Sequence, residues 1–361
     1  MKLVDRYIFK KFLGTFTLFF VLLMLIAVVI DISEKLEDFT KNGALLNEIV
    51  FDYYVNFIAY YGNLFSALIL FLSTIFFTSK MANNTEIVPI LTGGRSFSRF
   101  TVPYFFGATV VFLISAAINH FVIPVTNVKR LEFEAKYTQV RDDRRTTQIF
   151  RQVEPGHVVY FYSFSPERNA GYQFTYDVYD IKENRMVKKL EADYVRYDSI
   201  KGTWRLDNWE IRNIHEDGTE SLQRGRRVDT TFSFDGNDIV PRLSSTAMMT
   251  TPDLIKFIEK EELRGSERLN FHIIELNNRT AYPFSSFILV LIAVSISSRR
   301  RRGGLGVNIA IGLILVMIYI FFMQISTTLS THGNFPPTLA VWTPNMVFAL
   351  LGIISFRLAP K

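Results

Sequence analysis

The long charge-free segments at both ends of this chain constrain its fold more than any other feature. Residues 12–30, 53–79, 100–128, 280–298 and 303–356 contain no Asp, Glu, Lys or Arg. About twenty apolar residues cross the hydrocarbon of a bilayer as a helix, and a charge at the bilayer centre is costly. Each of the first four segments therefore predicts one membrane helix.

The last charge-free segment is too long for a single span. Residues 331–337 interrupt it with the sequence Thr-His-Gly-Asn-Phe-Pro-Pro, which is typical of a turn. The sequence thus predicts six membrane helices, three on each side of a charged central segment. The first span is expected to remain as an anchor, because residues 31–35 (Asp-Ile-Ser-Glu-Lys) offer no small-residue cleavage site.

The basic residues of the short connecting segments indicate an orientation. They are concentrated in residues 2–11, 80–99, 299–302 and 357–361. Lys and Arg of short loops accumulate on the cytoplasmic side of a membrane, and six spans put all four segments on one face. We therefore expect both termini to be cytoplasmic and the central segment to be exported.

The central segment has the pattern of β-structure. Residues 157–162 and 172–179 are rich in aromatic and β-branched residues, which alternate with polar ones in the second stretch, and turn signals such as Glu-Pro-Gly at 154–156 separate such stretches. This pattern predicts an all-β domain, either an antiparallel sandwich or a jelly roll.

Three domains are expected on these grounds. Residues 1–128 form an N-terminal membrane half, residues 129–250 the β domain, and residues 251–361 a C-terminal membrane half. The last begins with a helix that Thr-Pro at 251–252 opens and Gly265 ends, and that we expect at the membrane boundary.

Composition argues against several functional classes. The net charge of +6 does not indicate nucleic-acid binding, because the basic residues lie where membrane topology requires them. The chain has no Cys, no Gly-x-x-x-x-Gly-Lys-Ser/Thr phosphate loop, and five His without metal-ligand spacing. We therefore predict no enzyme activity, no metal and no cofactor. The predicted spans also lack charged residues near their centres, which disfavours an ion-coupled carrier and points to a partner as the energy source.

One connecting loop, residues 80–95, carries helix signals. Asn84 or Thr85 can cap a short helix with Glu86 in its first turn, and the glycines at 93–94 can end it. The residues alone leave two interpretations open. The segment is either an ordinary interfacial connector or a helix that docks into the groove of a partner.

Several short motifs in this order resemble the LptF/LptG lipopolysaccharide export permeases, also called the YjgP/YjgQ family. Residues 4–8 (Val-Asp-Arg-Tyr-Ile) match the opening pattern of that family. Residues 85–88 (Thr-Glu-Ile-Val) with the glycines at 93–94 match its coupling segment, residues 203–206 match a strand of its β domain, and Pro283 has a counterpart. Together they cover essentially the whole chain in a three-plus-three layout.

The resemblance implies a permease half of an ABC transporter in the bacterial inner membrane. In that family LptF and LptG pair on a dimer of the ATPase LptB, and their periplasmic jelly rolls pass lipopolysaccharide to LptC and onward to LptA. For this chain it implies an LptB-like ATPase, a second LptF/LptG-type permease, and LptC- and LptA-like proteins as partners.

The resemblance also implies roles for particular residues. Thr85, Glu86, Ile87, Val88 and Arg95 would dock on the ATPase within a coupling segment at 80–98. A proline inside that segment removes an amide donor, so we expect the helix to be short, kinked or begun later.

Spans one and five would form the lipid gates of each permease. Phe16 and Phe20 in span one and Phe321 and Phe322 in span five are therefore candidates for the lipid path. Where some family members carry a basic residue at the end of span one, this chain has an acidic one, and Lys35 one turn later is a candidate ligand for a lipid phosphate.

Two other classes of protein were weighed. A mechanotransmission or scaffold protein resembling FtsX would use an ATPase to move the exported domain without moving lipid, but that class generally has four spans. A membrane-bound enzyme acting on envelope lipids would need a catalytic set, which the sequence does not contain.

Overall fold

The computed structural model describes residues 3–138, 147–183, 185–239, 243–266, 268–299 and 304–359. The basic positions at 2, 300–302 and 361 and the first part of the predicted β domain, 139–146, lie outside these residues. The chain divides into two compact units. The first unit comprises Met1–Val140, Ala247–Pro252 and Asn270–Lys361, and the second comprises Arg141–Thr246 and Asp253–Leu269.

The first unit is helical. Its described elements are α1 (Leu3–Lys41), α2 (Leu46–Glu48), α3 (Val55–Asn83), α4 (Ile87–Thr92), α5 (Phe97–Ala117), α6 (Ile123–Tyr137), α9 (Leu269–Ser297), α10 (Gly304–His332) and α11 (Pro337–Arg357). Two π-helical turns, Ile49–Tyr54 and Ile118–Val122, join α2 to α3 and α5 to α6. Within the described residues, six continuous helical stretches are long and apolar enough to cross a membrane.

Three of these stretches precede the strand-rich insertion and three follow it, so the predicted layout is confirmed. The turn predicted at residues 331–337 lies between α10 and α11. The helices extend beyond the predicted spans. The 39 residues of α1 reach about 58 Å at a rise of ~1.5 Å per residue, well beyond a hydrocarbon core of ~30 Å.

The described parts of the four basic segments that were predicted to share a face lie close together. Ile8 near the start of α1, Ile87 in α4, Phe97 at the start of α5 and Ala359 after α11 belong to one buried apolar cluster. Arg299, after α9, donates a hydrogen bond to the carbonyl of a residue in the same C-terminal segment. These segments therefore meet at one end of the helical unit.

The second unit contains six antiparallel strands. They are β1 (Thr147–Glu154), β2 (His157–Ser165), β3 (Ala170–Asp180), β4 (Arg185–Asp198), β5 (Thr203–Ile214) and β6 (Glu220–Thr230). In the described residues they form one sheet in the order β1-β2-β3-β4-β5-β6, with every strand paired to its neighbours in sequence. Short turns, such as the one in which Gly156 adopts φ +78°, join consecutive strands. Because the turns between the described strands are short, the hydrogen-bonding order is a meander, and the predicted antiparallel β domain is confirmed.

The sheet curls over its own apolar face. Phe161 on β2 lies 6.2 Å from Trp204 on β5, measured between ring centroids. Three strand spacings of ~4.8 Å would put these strands about 14 Å apart in a flat sheet. Both side chains are fully buried, and Trp204 Nε1 donates to the Phe234 carbonyl at 2.9 Å. The curl therefore encloses an aromatic core within a single sheet.

The short helix α7 (Gly236–Ile239), a 3₁₀ turn (Leu243–Met248) and α8 (Thr251–Leu263) follow the sheet. The predicted end of α8 is confirmed, since Gly265 has φ +63° and its N–H donates to the Glu262 carbonyl. Glu261 on α8 is fully buried and accepts two bonds from Arg151 Nη1, at 2.8 and 3.0 Å. Glu261 stands beside a second glutamate in the sequence and is nevertheless buried, because the Arg151 guanidinium compensates its charge.

Candidate functional site

The loop between the second and third long helices contains α4, a helix of only six residues. It begins at Ile87, so Pro89 occupies its third position, where a missing N–H leaves no helical bond unmade. The prediction that the proline requires a short or late helix is confirmed. Glu86 rather than Asn84 or Thr85 occupies the N-cap, without a side-chain capping bond.

The residues around this start make other contacts. Thr85 has φ +57° and its hydroxyl donates to the Asn84 carbonyl at 2.7 Å. Asn84 Nδ2 donates to Glu86 Oε1 at 3.1 Å. Gly93 and Gly94 end the helix as predicted, the latter with φ +84°.

The two faces of α4 differ in burial. Ile87 is buried, and Ile90 and Leu91 pack against the apolar cluster at this end of the helical unit. Val88 is 61% exposed, and Pro89 and Thr92 on the same side are exposed. The helix is therefore held by one apolar face and presents a small, uncharged surface on the other.

Two links hold the ends of this loop to the start of α1. Arg95 Nη1 donates to Asp5 Oδ1 at 2.8 Å, and Arg99 Nη2 donates to Asp5 Oδ2 at 2.5 Å. Tyr7 OH donates to Glu86 Oε2 at 3.1 Å. Arg95, which the resemblance assigned to docking, therefore contacts a buried carboxylate of its own chain.

Lys35 lies near the other end of α1 in a cluster of charged and phenolic groups. Its Nζ is 3.1 Å from Asp31 Oδ1 and 3.1 Å from Glu134 Oε1, and it donates to the Tyr53 hydroxyl. Arg130 Nη1 lies 3.5 Å from Glu134 Oε1. Two cations thus face two carboxylates, and a phosphate that binds Lys35 must compete with both acids.

Phe16 and Phe20 line a cavity of about 250 Å³ between α1, α3 and α5. Their ring centroids are 6.0 Å apart. The opposite wall includes Gly62, where an added Cβ would lie 2.7 Å from a ring atom of Phe20. The side chains in this cavity are mostly apolar, with a few amide and hydroxyl groups.

The other two predicted lipid-path residues lie elsewhere, on α10. Phe321 is 67% exposed and Phe322 is half-buried. Neither lines the cavity that holds Phe16 and Phe20. The structure therefore brings the two candidates of α1 together and leaves those of α10 apart from them.

The family model for the lipopolysaccharide export system permease LptF/LptG matches residues 6–358 of this chain. The chain belongs to the LptF/LptG family. It is accordingly a lipopolysaccharide export permease and a multi-pass protein of the inner membrane. No curated protein matches it in a direct sequence comparison.

As an LptF/LptG permease, the chain contains a polar network within its helices that sequence reasoning missed. Asn63 Nδ2 donates to Asn119 Oδ1 at 2.7 Å, and Asn119 Nδ2 donates to the Arg279 carbonyl at 3.1 Å. Arg279, only 4% exposed, donates to Thr251 Oγ1 at 2.9 Å and to the Met249 carbonyl at 2.8 Å.

The missed network had a signal in the sequence. Asn63 and Asn119 were inside charge-free segments, where counting only charges overlooks uncharged polar residues. Arg279 lay one residue before a predicted span, but α9 begins ten residues earlier, at Leu269, and includes it. Buried polar groups in a membrane need internal partners, so an Asn within an apolar run predicts a contact between helices.

Proposed function

We propose that this LptF/LptG permease is one of two permease subunits of an ABC transporter that extracts lipopolysaccharide from the inner membrane and passes it to periplasmic carriers. The ATPase would be an LptB-like dimer, and the second permease a further member of the family. The carriers would be LptC- and LptA-like proteins. Family membership supports these assignments.

The exposed face of α4 carries the proposal. This helix stands at the end of the helical unit where the basic segments meet, and Val88, Pro89 and Thr92 project from it. An amphipathic helix seated in a groove is a common mode of recognition between proteins. The helix, which begins at Ile87, forms a compact ATPase-docking element at 80–98 together with Thr85, Glu86 and Arg95 on either side of it.

Energetics support an ATP-driven partner. Moving one acyl CH₂ out of a bilayer costs about 0.8 kcal/mol, and a lipid with several chains multiplies this cost. The chain has no phosphate loop of its own. The cavity beside Phe16 and Phe20 offers an apolar surface on the gate helix α1, and Phe321 and Phe322 offer one on α10.

The orientation is part of the same proposal. The end of the helical unit that carries α4 and both terminal helix ends is cytoplasmic, by the distribution of Lys and Arg. The sheet unit is then periplasmic, and its edge strand β6 is the candidate contact for the carriers. The domain limits 1–128, 129–250 and 251–361 belong to this proposal.

The test uses Val88→Asp in the tagged chain, purified from its native membrane in mild detergent. A charge on the exposed face of α4 should disrupt docking without touching the buried side of the helix. We expect a P-loop ATPase and a second permease to co-purify with the unmodified chain, and the ATPase to be lost from the variant.

Ile200→Asp is the matched control, because Ile200 is 96% exposed in the turn between β4 and β5. It makes the same type of change away from α4 and should leave the ATPase bound. Equal retention of the ATPase by both variants would refute docking through α4. Purification of the unmodified chain without any ATPase would refute the transporter assignment as a whole.

A further inference from the structure

Asp5 lies in the first turn of α1 and is buried, with 1% of its surface exposed. A buried carboxylate is retained only where charged or hydrogen-bonding partners compensate it. Arg95 and Arg99 each donate to one of its oxygens. Arg95 lies in the loop after α4 and Arg99 in the first turn of α5, so the carboxylate fixes the exit of the α4 loop to the first turn of α1.

The entrance of the same loop is fixed to the same part of α1. Glu86, the N-cap of α4, accepts from the Tyr7 hydroxyl. Between the two links, Ile87 of α4 and Ile8 of α1 share one buried apolar cluster. The loop is therefore held to α1 before, along and after its helix.

The attachment matters because α1 is one long, unbroken helix. It is one helix from Leu3 to Lys41, whereas a π-helical turn interrupts each of the next two long helical stretches. Of the six long stretches, α1 has the smallest buried share, 6% of its most apolar part. Because α1 is unbroken and little of its middle is buried, a displacement of one end is passed along the helix. Phe16, Phe20 and Lys35 lie further along it.

We propose that Asp5 is a positioning residue that transmits movement of α4 to α1, so that displacement of the docked helix shifts the gate helix and the lipid-path residues it carries. This inference rests on the proposed function. It assigns to the opening Asp-Arg-Tyr motif a role in coupling ATP turnover to lipid movement, separate from docking itself.

The test compares Asp5→Asn with Glu37→Gln in the complete complex with its ATPase, reconstituted in liposomes with lipopolysaccharide. Glu37 is a matched control because it is an exposed carboxylate on the same helix, paired only with Lys41 at 2.5 Å in the described contacts. Three quantities are measured: ATPase co-purification, ATP hydrolysis, and lipopolysaccharide transferred to a soluble acceptor per ATP.

We expect Asp5→Asn to retain the ATPase and hydrolyse ATP, while lipid transferred per ATP falls roughly tenfold, within the range of couplings between distant sites. Glu37→Gln should match the unmodified chain. The conservative variant Asp5→Glu keeps a carboxylate for Arg95 and Arg99 and should retain transfer per ATP, whereas Asp5→Asn should not.

Three results would overturn the inference. The first is normal transfer per ATP by Asp5→Asn, and the second is loss of the ATPase from it, since the residue would then act on docking. If Asp5→Asn does not accumulate in the membrane, Arg99→Gln replaces it, because Asp5 then keeps its bond from Arg95. Normal transfer per ATP by Arg99→Gln is the third result. Absence of any ATPase from the unmodified complex would instead overturn the proposed function.

Discussion

Lys35 Nζ lies 3.1 Å from Glu134 Oε1, so the basic residue nominated for a lipid phosphate already has a carboxylate partner on another helix. The side chains are 26% and 13% exposed. Such a pair ties the end of α1 to α6 and fixes the position of the cation. Phosphate binding by Lys35 remains a prediction. The pair with Glu134 means that a phosphate has to compete with this carboxylate for Lys35.

Glu134→Gln should increase binding of a bis-phosphorylated lipid, because the carboxylate no longer competes for Lys35. Lys35→Gln should decrease it. Binding is measured by native mass spectrometry of the complex in detergent, with the dephosphorylated lipid as the control for contributions from the acyl chains. If both variants bind the two lipids as the unmodified chain does, Lys35 is not a phosphate ligand.

The buried pair of Arg151 and Glu261 should stabilise the sheet unit. Glu261→Gln leaves the guanidinium without its charged partner, and breaking a buried pair in this way costs about 3–5 kcal/mol in unfolding free energy. The neighbouring exposed Glu262→Gln is the control and should change little. Denaturation followed by the fluorescence of the buried Trp204 reports on this unit, and equal midpoints for the two variants would contradict the prediction.

The stability that the Glu261 carboxylate contributes to the sheet unit should depend on pH. Burial raises the pKa of Glu261, but the Arg151 and Arg264 guanidiniums outweigh burial and hold that pKa below its ordinary value. A carboxyl with a lowered folded-state pKa contributes stability above the ordinary pKa and loses it as pH falls through the folded value. The stability difference between the unmodified chain and Glu261→Gln should therefore shrink in acid, as denaturant titrations at several pH values can show.

The carboxylate of Asp177 on β3 should destabilise the folded sheet unit at neutral pH, whereas that of Glu261 stabilises it. Burial raises the pKa of the Asp177 carboxyl despite the opposing charge of Lys189, and among the described residues its buried Oδ1 has no hydrogen-bond partner. A raised folded-state pKa means that ionisation destabilises the fold. Asp177→Asn should therefore raise stability at neutral pH, and the gain should diminish as acid protonates the original carboxyl. A loss of stability at neutral pH would show that the carboxylate has a favourable role.

The six membrane helices could be predicted because lipid penalises charge locally, and a charge-free run reports that penalty without any knowledge of contacts. Their ends could not, since α1 and α9 continue as helices into charged sequence where the lipid constraint no longer applies. The helix in the 80–95 loop was predicted from its capping residues and its glycines. Its attachment to Asp5 was not, because the partners lie 90 and 94 residues apart.

In the sheet unit, alternation located the strands but not their connection or their charges. Phe161 and Trp204 meet only because the sheet curls, and the curl depends on bulges and register that no local pattern specifies. Glu261 looked like a surface residue beside a second glutamate, and its partner Arg151 lies 110 residues away. Local physics thus predicted elements, while long-range pairing decided which polar residues are buried.

Arg279 provides a last test, because it is a buried cation inside α9 and lies just before the charge-free run that predicted the span. Arg279→Met removes two bonds from a charged donor, to Thr251 Oγ1 and the Met249 carbonyl, each worth about 1.5–3 kcal/mol. We expect a clear fall in the thermal stability of the detergent-solubilised chain. Arg357→Met, an exposed position at the end of α11, is the control and should leave stability unchanged. Equal melting of the two variants would mean that the polar network around Arg279 does not hold the helices together.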